Sequence, residues 1–421
     1  MTSPTRAAPA PRPAGPAATS SRTPSRTPRR LRLAAAVAAL SCLAVGVAAL
    51  VGSLAQAAAL QDAVADTDQQ IRALEVRNDL VAADALATNA FLVGGLEPTE
   101  QRARYDAGLA SAAAGVTAVS GADASDAAAL GDVNGALGTY AGLVEQARAN
   151  NRQGFPVGAA YLEAASSGLR TDALPGLDAV VQVNADRVGD AFGTASVAQV
   201  VLVVVVGGAV VLLGVQVWLA RRTRRRLNRG LVLATLLVVV AWVTVASSLQ
   251  DGATAARQVR DGSYARTVAV AQAFSLANDA KAMESFTLIK RGSGQAYEES
   301  YQESVAQARA HLRRGADAAV VAAFETWAGR HAEIRALDDE GDWDGAVALT
   351  TSTAADAPNA AFDAFSSATL AAVQTGAATV GDELDDARVR AERTAWAALL
   401  ACVLAGVAAL WGFSARLKEY R

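Results

Sequence analysis

The residues that most often carry enzyme chemistry are sparse in this chain. Among its 421 residues are two histidines, His311 and His331, and two cysteines, Cys42 and Cys402. The histidines are not at a metal-ligand spacing, and the sequence has no Ser nucleophile elbow, Gly-rich phosphate loop or Cys–His pair. We therefore predict that the protein is not an enzyme and has no catalytic residue, metal site or cofactor. We interpret both histidines as solvated residues on helix faces.

The sequence also has a dense cluster of arginines between residues 221 and 229. Its members are Arg221, Arg222, Arg224, Arg225, Arg226 and Arg229. The cluster separates two uncharged runs, 191–220 and 230–250, and each is longer than the roughly 20 residues that cross a bilayer as a helix. Arginines in short loops stay on the cytoplasmic side. We therefore predict a cytoplasmic loop over 221–229, placed against the membrane lipid.

The charges of the chain are divided between two sets of segments. Segments 1–32, 221–229 and 416–421 contain sixteen of the 38 basic residues but only one of the 41 acidic residues, Glu419. The rest of the chain is consequently acidic. This partition is typical of a membrane protein with basic cytoplasmic segments and acidic external domains, and we expect no nucleic-acid partner.

Uncharged runs predict four transmembrane helices, at 33–55, 197–220, 231–249 and 395–413. The first run could instead be a cleaved signal peptide, since Ala55-Gln56-Ala57 resembles a signal-peptidase site, but the run is about twice the usual length of a signal core. We predict a multi-pass cell-membrane protein with both termini in the cytoplasm. Its N-terminal tail, 1–30, is expected to be disordered, and 414–421 forms the C-terminal tail. The spans contain no Asp, Glu, Lys, Arg or His, which argues against a transporter or channel.

The two external segments, 56–196 and 250–394, read as helical and as copies of one another. Apolar and small residues recur at heptad spacing in 60–92 and again in 370–391. Three residues mark the repeat in each segment: Asp84, Phe91 and Tyr105 in the first, and Asp279, Phe286 and Tyr301 in the second. The fold predicted is therefore an all-α membrane protein with four transmembrane helices and two tandem extracytoplasmic four-helix bundles.

The turns between the predicted helices identify candidate binding residues. Since the first helix of each bundle leaves one span and the fourth enters the next, the first and third turns lie together at the membrane-distal tip. The candidates for partner contact at this tip are Arg152, Phe155, Pro156 and Tyr161 in the first bundle and Asp342, Trp343 and Asp344 in the second.

The arrangement of span, four-helix bundle and span resembles the ligand-binding module of bacterial chemoreceptors, present twice, although no HAMP linker or cytoplasmic signalling helix follows. Residues 83–98 and 149–162 carry a closer resemblance, to the four-pass membrane component of an actinobacterial amino-acid-sensing system. That family implies two partners. They are an extracytoplasmic glutamine-binding-type solute-binding lipoprotein and the cytoplasmic Ser/Thr protein kinase G.

Three functions are compatible with this sequence. The favoured one is a transmembrane signal relay that docks the external binding protein and transmits its ligand state to the kinase. The second is a direct small-molecule receptor of chemoreceptor type; the acidic external segments repel an acidic ligand at long range, but a local arginine pocket could override this. The third is a passive membrane scaffold or permease accessory. Co-purification with both partners separates the first function from the third.

Overall fold

The computed structural model describes residues 26–94, 96–122, 126–194, 199–223 and 228–418, and all regular secondary structure within them is helical. For residues 26–28, 122, 199–205, 222–223 and 415–418 only the backbone is described. Of the tail predicted to be disordered, residues 1–25 lie outside the described part of the chain, whereas 26–30 begin the first helix.

The described residues of the first half form six α-helices. They are α1 (Arg26–Val93), α2 (Thr99–Ala122), α3 (Ala127–Arg152), α4 (Val157–Gly168), α5 (Leu174–Thr194) and α6 (Gln199–Thr223). A π-helical turn, Leu169–Ala173, joins α4 to α5. We call residues 56–196 lobe 1.

The described residues of the second half form six further α-helices. They are α7 (Arg229–Val259), α8 (Ala265–Ile289), α9 (Gln295–Leu312), α10 (Ala318–Asp339), α11 (Trp343–Thr351) and α12 (Pro358–Lys418), and the π-helical turn Arg260–Tyr264 joins α7 to α8. We call residues 250–394 lobe 2. In lobe 2 the chain leaves the helical conformation between α11 and α12, just before Pro358, whereas in lobe 1 the π-helical turn precedes Pro175. Proline lacks the N–H that would continue a preceding helix, which fits the break before Pro358, whereas in lobe 1 the chain stays helical through Pro175.

The chain divides into two compact units. The first comprises Met1–Gly46, Val206–Val240 and Leu400–Arg421, and the second comprises Val47–Val205 and Ala241–Leu399. In the first unit, helices approach closely at glycines: a Cβ on Gly230 would lie 2.4 Å from the carbonyl oxygen of Ala408. There the Asn228 side-chain amide donates to the Gly412 carbonyl oxygen at 3.0 Å. Small residues allow this contact between apolar helices.

Within the described residues, three helical stretches are long and apolar enough to cross a membrane, at Arg29–Val93, Arg229–Ile289 and Pro358–Ser414. They indicate a membrane protein and contain three of the predicted spans. The described apolar part of α6 is shorter, Val206–Arg221, because the side chains before it lie outside the described residues. The count of four spans and the orientation of the termini therefore stay predictions.

The second unit is built around two helices that are buried on nearly all sides, the C-terminal half of α1 and α8. One continuous apolar core contains residues of both lobes, from Ala73 to Val180 and from Ala273 to Phe365. A helix buried all round lies in the interior of a fold. The division into two separate bundles stays a prediction, since the lobes share this core.

The heptad pattern corresponds to burial along most of its length. In α1 the pattern positions from Leu60 to Leu92 are buried except Val64, which is partly buried. In α12, Leu384, Ala387 and Ala391 are buried, but Leu370 is 46% exposed. At Leu370 the heptad pattern therefore does not correspond to burial.

Candidate functional site

Four turns of the second unit form the candidate functional site. With the helix ends beside them, they comprise residues 94, 96–98 and 152–157 of lobe 1 and 290–294 and 340–344 of lobe 2, and we call them the turn cluster. Glycines with positive φ end the helices there: Gly94 at +66°, Gly154 at +72° and Gly341 at +87°. Glycine adopts this conformation without strain and stops a helix sharply.

A groove of about 250 Å³ joins the turns of the two lobes. It is lined by Phe91, Leu92, Gly94, Asn151, Gly154, Phe155, Pro156, Ala159, Ile289, Arg291 and Trp343. Three predicted contact residues thus line one groove: the adjacent Phe155 and Pro156, and Trp343 from the other lobe. Both lobes contribute to one surface.

Trp343 is fixed in this groove by two interactions. Its indole Nε1 donates to the carbonyl oxygen of Leu288 at 2.9 Å. The guanidinium of Arg291 lies 3.8 Å from the centre of its ring, in cation–π geometry. Trp343 therefore presents a defined aromatic surface.

The acidic neighbours of Trp343 differ in role. Asp342 caps α11, because its Oδ1 accepts from the Gly345 backbone N–H at 2.9 Å. Asp344 is exposed in the first turn of α11. Both carboxylates are exposed, but Asp342 also has a local structural role as the helix cap.

The turn cluster carries most of the exposed apolar surface outside the apolar stretches. Among the described residues, six large apolar side chains outside the four predicted spans are exposed: Val93, Leu96, Phe155, Val157, Val183 and Leu370. The first four flank the lobe 1 turns, with Leu96 84% and Phe155 53% exposed. Clustered exposure of this kind marks an interaction surface, whereas single exposed residues are ordinary.

Arg152 lies at a second pocket of the turn cluster. The pocket also contains Arg102 and Arg148. Arg148 pairs with Glu97 at 3.0 Å and with Glu145 at 2.8 Å. Arg152, by contrast, is exposed.

Tyr161, the remaining predicted contact of lobe 1, lines neither the groove nor this pocket. It is half-buried and packs against the apolar core. Its place one turn into α4 directs it toward the interior. The heptad pattern of lobe 1 did not include α4, and so it could not distinguish this packing position from a surface position.

The predicted cytoplasmic arginine loop falls mostly outside the described residues. Arg224, Arg225 and Arg226 lie there entirely, and only the backbone of Arg222 is described. Arg221 is exposed near the end of α6, and Arg229 is the exposed first residue of α7.

A network that sequence reasoning did not identify joins the two lobes. Arg170, in the π-helical turn of lobe 1, donates from Nη1 to Asp84 Oδ2 at 2.9 Å and from Nη2 to Asp279 Oδ1 at 2.6 Å. Asp84 is fully buried, and Ser166 donates to its Oδ2 at 2.6 Å. The two aspartates are the pair placed at matching positions of the predicted repeat. That prediction was the available signal, but it did not indicate that one arginine binds both aspartates.

A second network lies in the interior of lobe 2. His331 bonds through Nδ1 to Glu284 at 2.8 Å and through Nε2 to Glu298 at 3.0 Å. Lys281 donates to the other oxygen of Glu284 at 2.6 Å, and the Tyr301 ring stacks on the imidazole. The interpretation of His331 as a solvated residue is wrong, since it is only 4% exposed. His311 is half-buried.

The charged groups of this network determine the pKa values of His331 and Glu284. Burial alone would lower the pKa of His331, but hydrogen bonds to Glu284 and Glu298 outweigh burial, and the pKa is raised. Burial would raise the pKa of Glu284, but the charges and hydrogen bonds of Lys281 and His331 lower it to about 2. The cluster is therefore a set of compensating buried charges.

The comparison with known protein families found a match within lobe 1. Residues 59–193 match the family model of an actinobacterial sensor domain. The match supports an actinobacterial sensor protein with a sensing or signalling role. No curated protein and no solved structure matches the chain. The turn cluster residues of lobe 1, including Arg152 and Phe155, lie inside the sensor-domain match.

Proposed function

We propose that this protein is a transmembrane signal relay. Its turn cluster docks an extracytoplasmic solute-binding lipoprotein, and the ligand state of that lipoprotein is transmitted to a cytoplasmic Ser/Thr protein kinase. The observation that carries the proposal is the concentration of exposed apolar side chains at the turn cluster, around Leu96, Phe155 and Val157. The sensor-domain match over the same lobe supports a sensing role.

The chemistry of the turn cluster is that of a protein-docking surface. Aromatic and apolar side chains, Phe155 and Trp343 among them, lie at its centre. Exposed polar residues, Arg152 and Asp344, lie beside them. Apolar anchors surrounded by a polar rim are typical of protein interfaces. The resemblance of residues 83–98 and 149–162 to the amino-acid-sensing family supports a solute-binding lipoprotein as the occupant.

Continuous helices offer a route for transmission. In α1, one uninterrupted helix contains the apolar stretch 33–55 and ends at the turn cluster, so that Val93 lies roughly 57 Å along the helix axis from Ala55. We expect docking at this end to displace α1 along its length. The proposed signal is a shift of α1 against α5, and of α8 against α12, carried through the spans.

Co-purification of tagged variants from host membranes tests the docking. Wild-type protein should retain one solute-binding lipoprotein and one Ser/Thr kinase. Phe155→Asp buries a charge in the interface and should reduce lipoprotein recovery about tenfold or more while leaving kinase recovery unchanged. Val183→Asp is the matched control, because Val183 is also exposed but lies on α5 away from the turns.

The outcomes separate the possible functions. Recovery of neither partner with wild-type protein contradicts the relay and favours a passive scaffold. Equal lipoprotein recovery with Phe155→Asp and Val183→Asp contradicts docking at the turn cluster.

The cytoplasmic side is tested through the arginine loop. Arg→Gln substitutions at Arg221, Arg222, Arg224, Arg225 and Arg226 reduce the loop charge with less effect on topology than charge reversal. Kinase-dependent phosphorylation should fall as more arginines are replaced. Unchanged phosphorylation in correctly inserted variants would show that the kinase contacts another segment.

A further inference from the structure

One buried histidine joins three helices of lobe 2 beside the turn cluster. His331 lies on α10, and only 4% of it is exposed. Its Nδ1 lies 2.8 Å from Glu284 of α8, and its Nε2 lies 3.0 Å from Glu298 of α9. We call these three residues the histidine bridge. The bridge is the point at which α8, α9 and α10 are held together by charge.

The histidine bridge requires a donated hydrogen bond from each ring nitrogen. An ionised carboxylate only accepts hydrogen bonds, whereas a neutral imidazole has one N–H and one lone pair. Only the imidazolium of His331 therefore satisfies Glu284 and Glu298 at the same time. After the proton is lost, one ring nitrogen presents its lone pair to a carboxylate, and that contact becomes repulsive.

Other ionisable groups surround the bridge. Among the described residues they are Lys281 of α8, Tyr301 of α9, and Arg335, Asp338 and Asp339 of α10. Burial and the two carboxylates of the bridge raise the pKa of Tyr301, so its phenol stays neutral. The pKa of Glu284 is lowered to about 2, so this carboxylate stays ionised. His331 is the member of the set whose ordinary pKa lies nearest to neutral pH.

Glu298 is the carboxylate that can leave the bridge. Its side chain is 16% exposed, whereas that of Glu284 is 1% exposed and also binds Lys281 at 2.6 Å. An anion that is fully buried cannot exchange its partner for water, so the remaining N–H of a neutral imidazole stays with Glu284. Deprotonation of His331 therefore separates α9 from α10 at Glu298.

Glu298 is directly connected to the turn cluster. It lies in the first turn of α9, which follows the turn 290–294. In that turn Arg291 has a φ of +39°, a conformation that a residue other than glycine keeps only where its surroundings hold it. The guanidinium of Arg291 lies 3.8 Å from the centre of the Trp343 ring. Release of the start of α9 consequently loosens the turn that fixes Trp343.

An apolar cluster connects the bridge to Trp343 from the other side. Ile334, three residues after His331 on α10, is buried together with Leu288 of α8 and Ala346 of α11, and Trp343 packs against them. From these contacts we propose that the histidine bridge is a pH-sensitive switch of the turn cluster. Its imidazolium holds the start of α9 and the surface around Trp343 in place, and loss of the proton releases both.

The direction of the switch follows from the environment of His331. Burial lowers the pKa of His331, but the hydrogen bonds to Glu284 and Glu298 outweigh burial and raise it above the ordinary value of 6.5. The ordered surface is thus fully present below that value and is lost as the pH rises through the folded-state pKa. The consequence for docking rests on the proposed function: recovery of the lipoprotein should fall as the medium becomes alkaline.

The test follows Trp343 by fluorine NMR in the purified full-length protein after incorporation of fluorotryptophan. Trp343→Phe assigns the resonance by its disappearance. In the wild-type protein we expect this resonance to shift in one step between about pH 6 and about pH 9. Glu298→Gln should keep the resonance at its acidic position throughout, because the introduced amide can donate to the lone pair of a neutral Nε2. His331→Gln should also remove the step.

His311→Gln is the matched control. It replaces the other histidine of lobe 2, which lies in the last turn of α9 away from the bridge, and it should retain the step. A wild-type Trp343 resonance that does not move over this range would overturn the proposal. So would the same step in Glu298→Gln or His331→Gln, with circular dichroism confirming that each variant is folded, or loss of the step in His311→Gln. No partner is present in this experiment, so failure of the docking proposal leaves its result unaffected.

Discussion

At the scale of single residues, the ionisation of His331 is determined by the charged side chains around it. Its imidazole lies between Glu284 and Glu298, with Lys281 beside Glu284, Arg335 3.8 Å from Glu298 and the Tyr301 ring stacked on it. Two carboxylates and two further cations thus compensate one another in the interior. Removing one member leaves an uncompensated buried charge, which is costly.

The pH dependence of stability follows from the direction of the His331 pKa. Because this pKa is raised in the folded protein, the imidazolium contributes stability that is fully present below its ordinary value of 6.5 and is lost as pH rises through the folded-state value. We expect the free energy of unfolding of the wild-type protein to fall between about pH 6 and about pH 9, and His331→Gln to remove much of that fall. Chemical unfolding of the detergent-solubilised protein at both pH values measures this.

His311→Gln is the control for this experiment. Burial and the charge of Arg314 lower the pKa of His311, so its contribution has the opposite sign and lies at lower pH. His311→Gln should retain the wild-type decline toward alkaline pH. An identical decline in wild type and His331→Gln would contradict the assignment.

Sequence reasoning did not identify these residue roles because they depend on long-range contacts. His331 and Glu284 are 47 positions apart, and Arg170 is 86 and 109 positions from its two aspartates. No local pattern reports a pairing over such distances. Phe155 and Trp343, by contrast, stand in turns marked by glycine and proline, and turn chemistry is local.

At the scale of secondary-structure elements, the sequence predicted most of the buried positions along α1 and the turns that end α1 and α3. The heptad spacing of α1 matches its buried positions, and glycine signals placed the turns after α1 and α3. The π-helical turns Leu169–Ala173 and Arg260–Tyr264 were not predicted, because their sequences remain compatible with a regular helix. One of them supplies Arg170, which ties α1 and α8 together.

Replacement of Arg170 tests that connection between helices. Arg170→Met leaves Asp84 fully buried without its cation, and we expect the free energy of unfolding to fall by about 3–5 kcal/mol. Guanidinium unfolding followed by helical circular dichroism provides the measurement. The matched control is Arg77→Met, whose partner Asp178 is 53% exposed, and it should cost about 1 kcal/mol or less. Similar losses in both variants would contradict a structural role for the Arg170 network.

At the scale of the whole molecule, the apolar composition and the long helices both indicate a helical membrane protein. Sequence alone indicated an all-helical membrane protein, and in the described part of the chain three helices are long and apolar enough to span a bilayer. A core common to both lobes could not be inferred from periodicity, because the pattern of each helix does not specify its neighbour. Lys290 pairs with Glu163 at 2.6 Å and Arg104 with Asp363 at 3.0 Å, which adds polar contacts between the lobes.

The relay requires both lobes on the outer side of the membrane and the arginine loop on the inner side. Cysteine labelling tests this topology directly. Single cysteines are introduced at three exposed positions, in a background that carries Cys42→Ala and Cys402→Ala. They are Gln153→Cys in lobe 1, Ser293→Cys in lobe 2 and Ser414→Cys near the end of α12. In intact cells, a membrane-impermeant maleimide should label the two lobe positions and should label Ser414→Cys only after permeabilisation. Labelling of Gln153→Cys or Ser293→Cys only after permeabilisation would contradict the account.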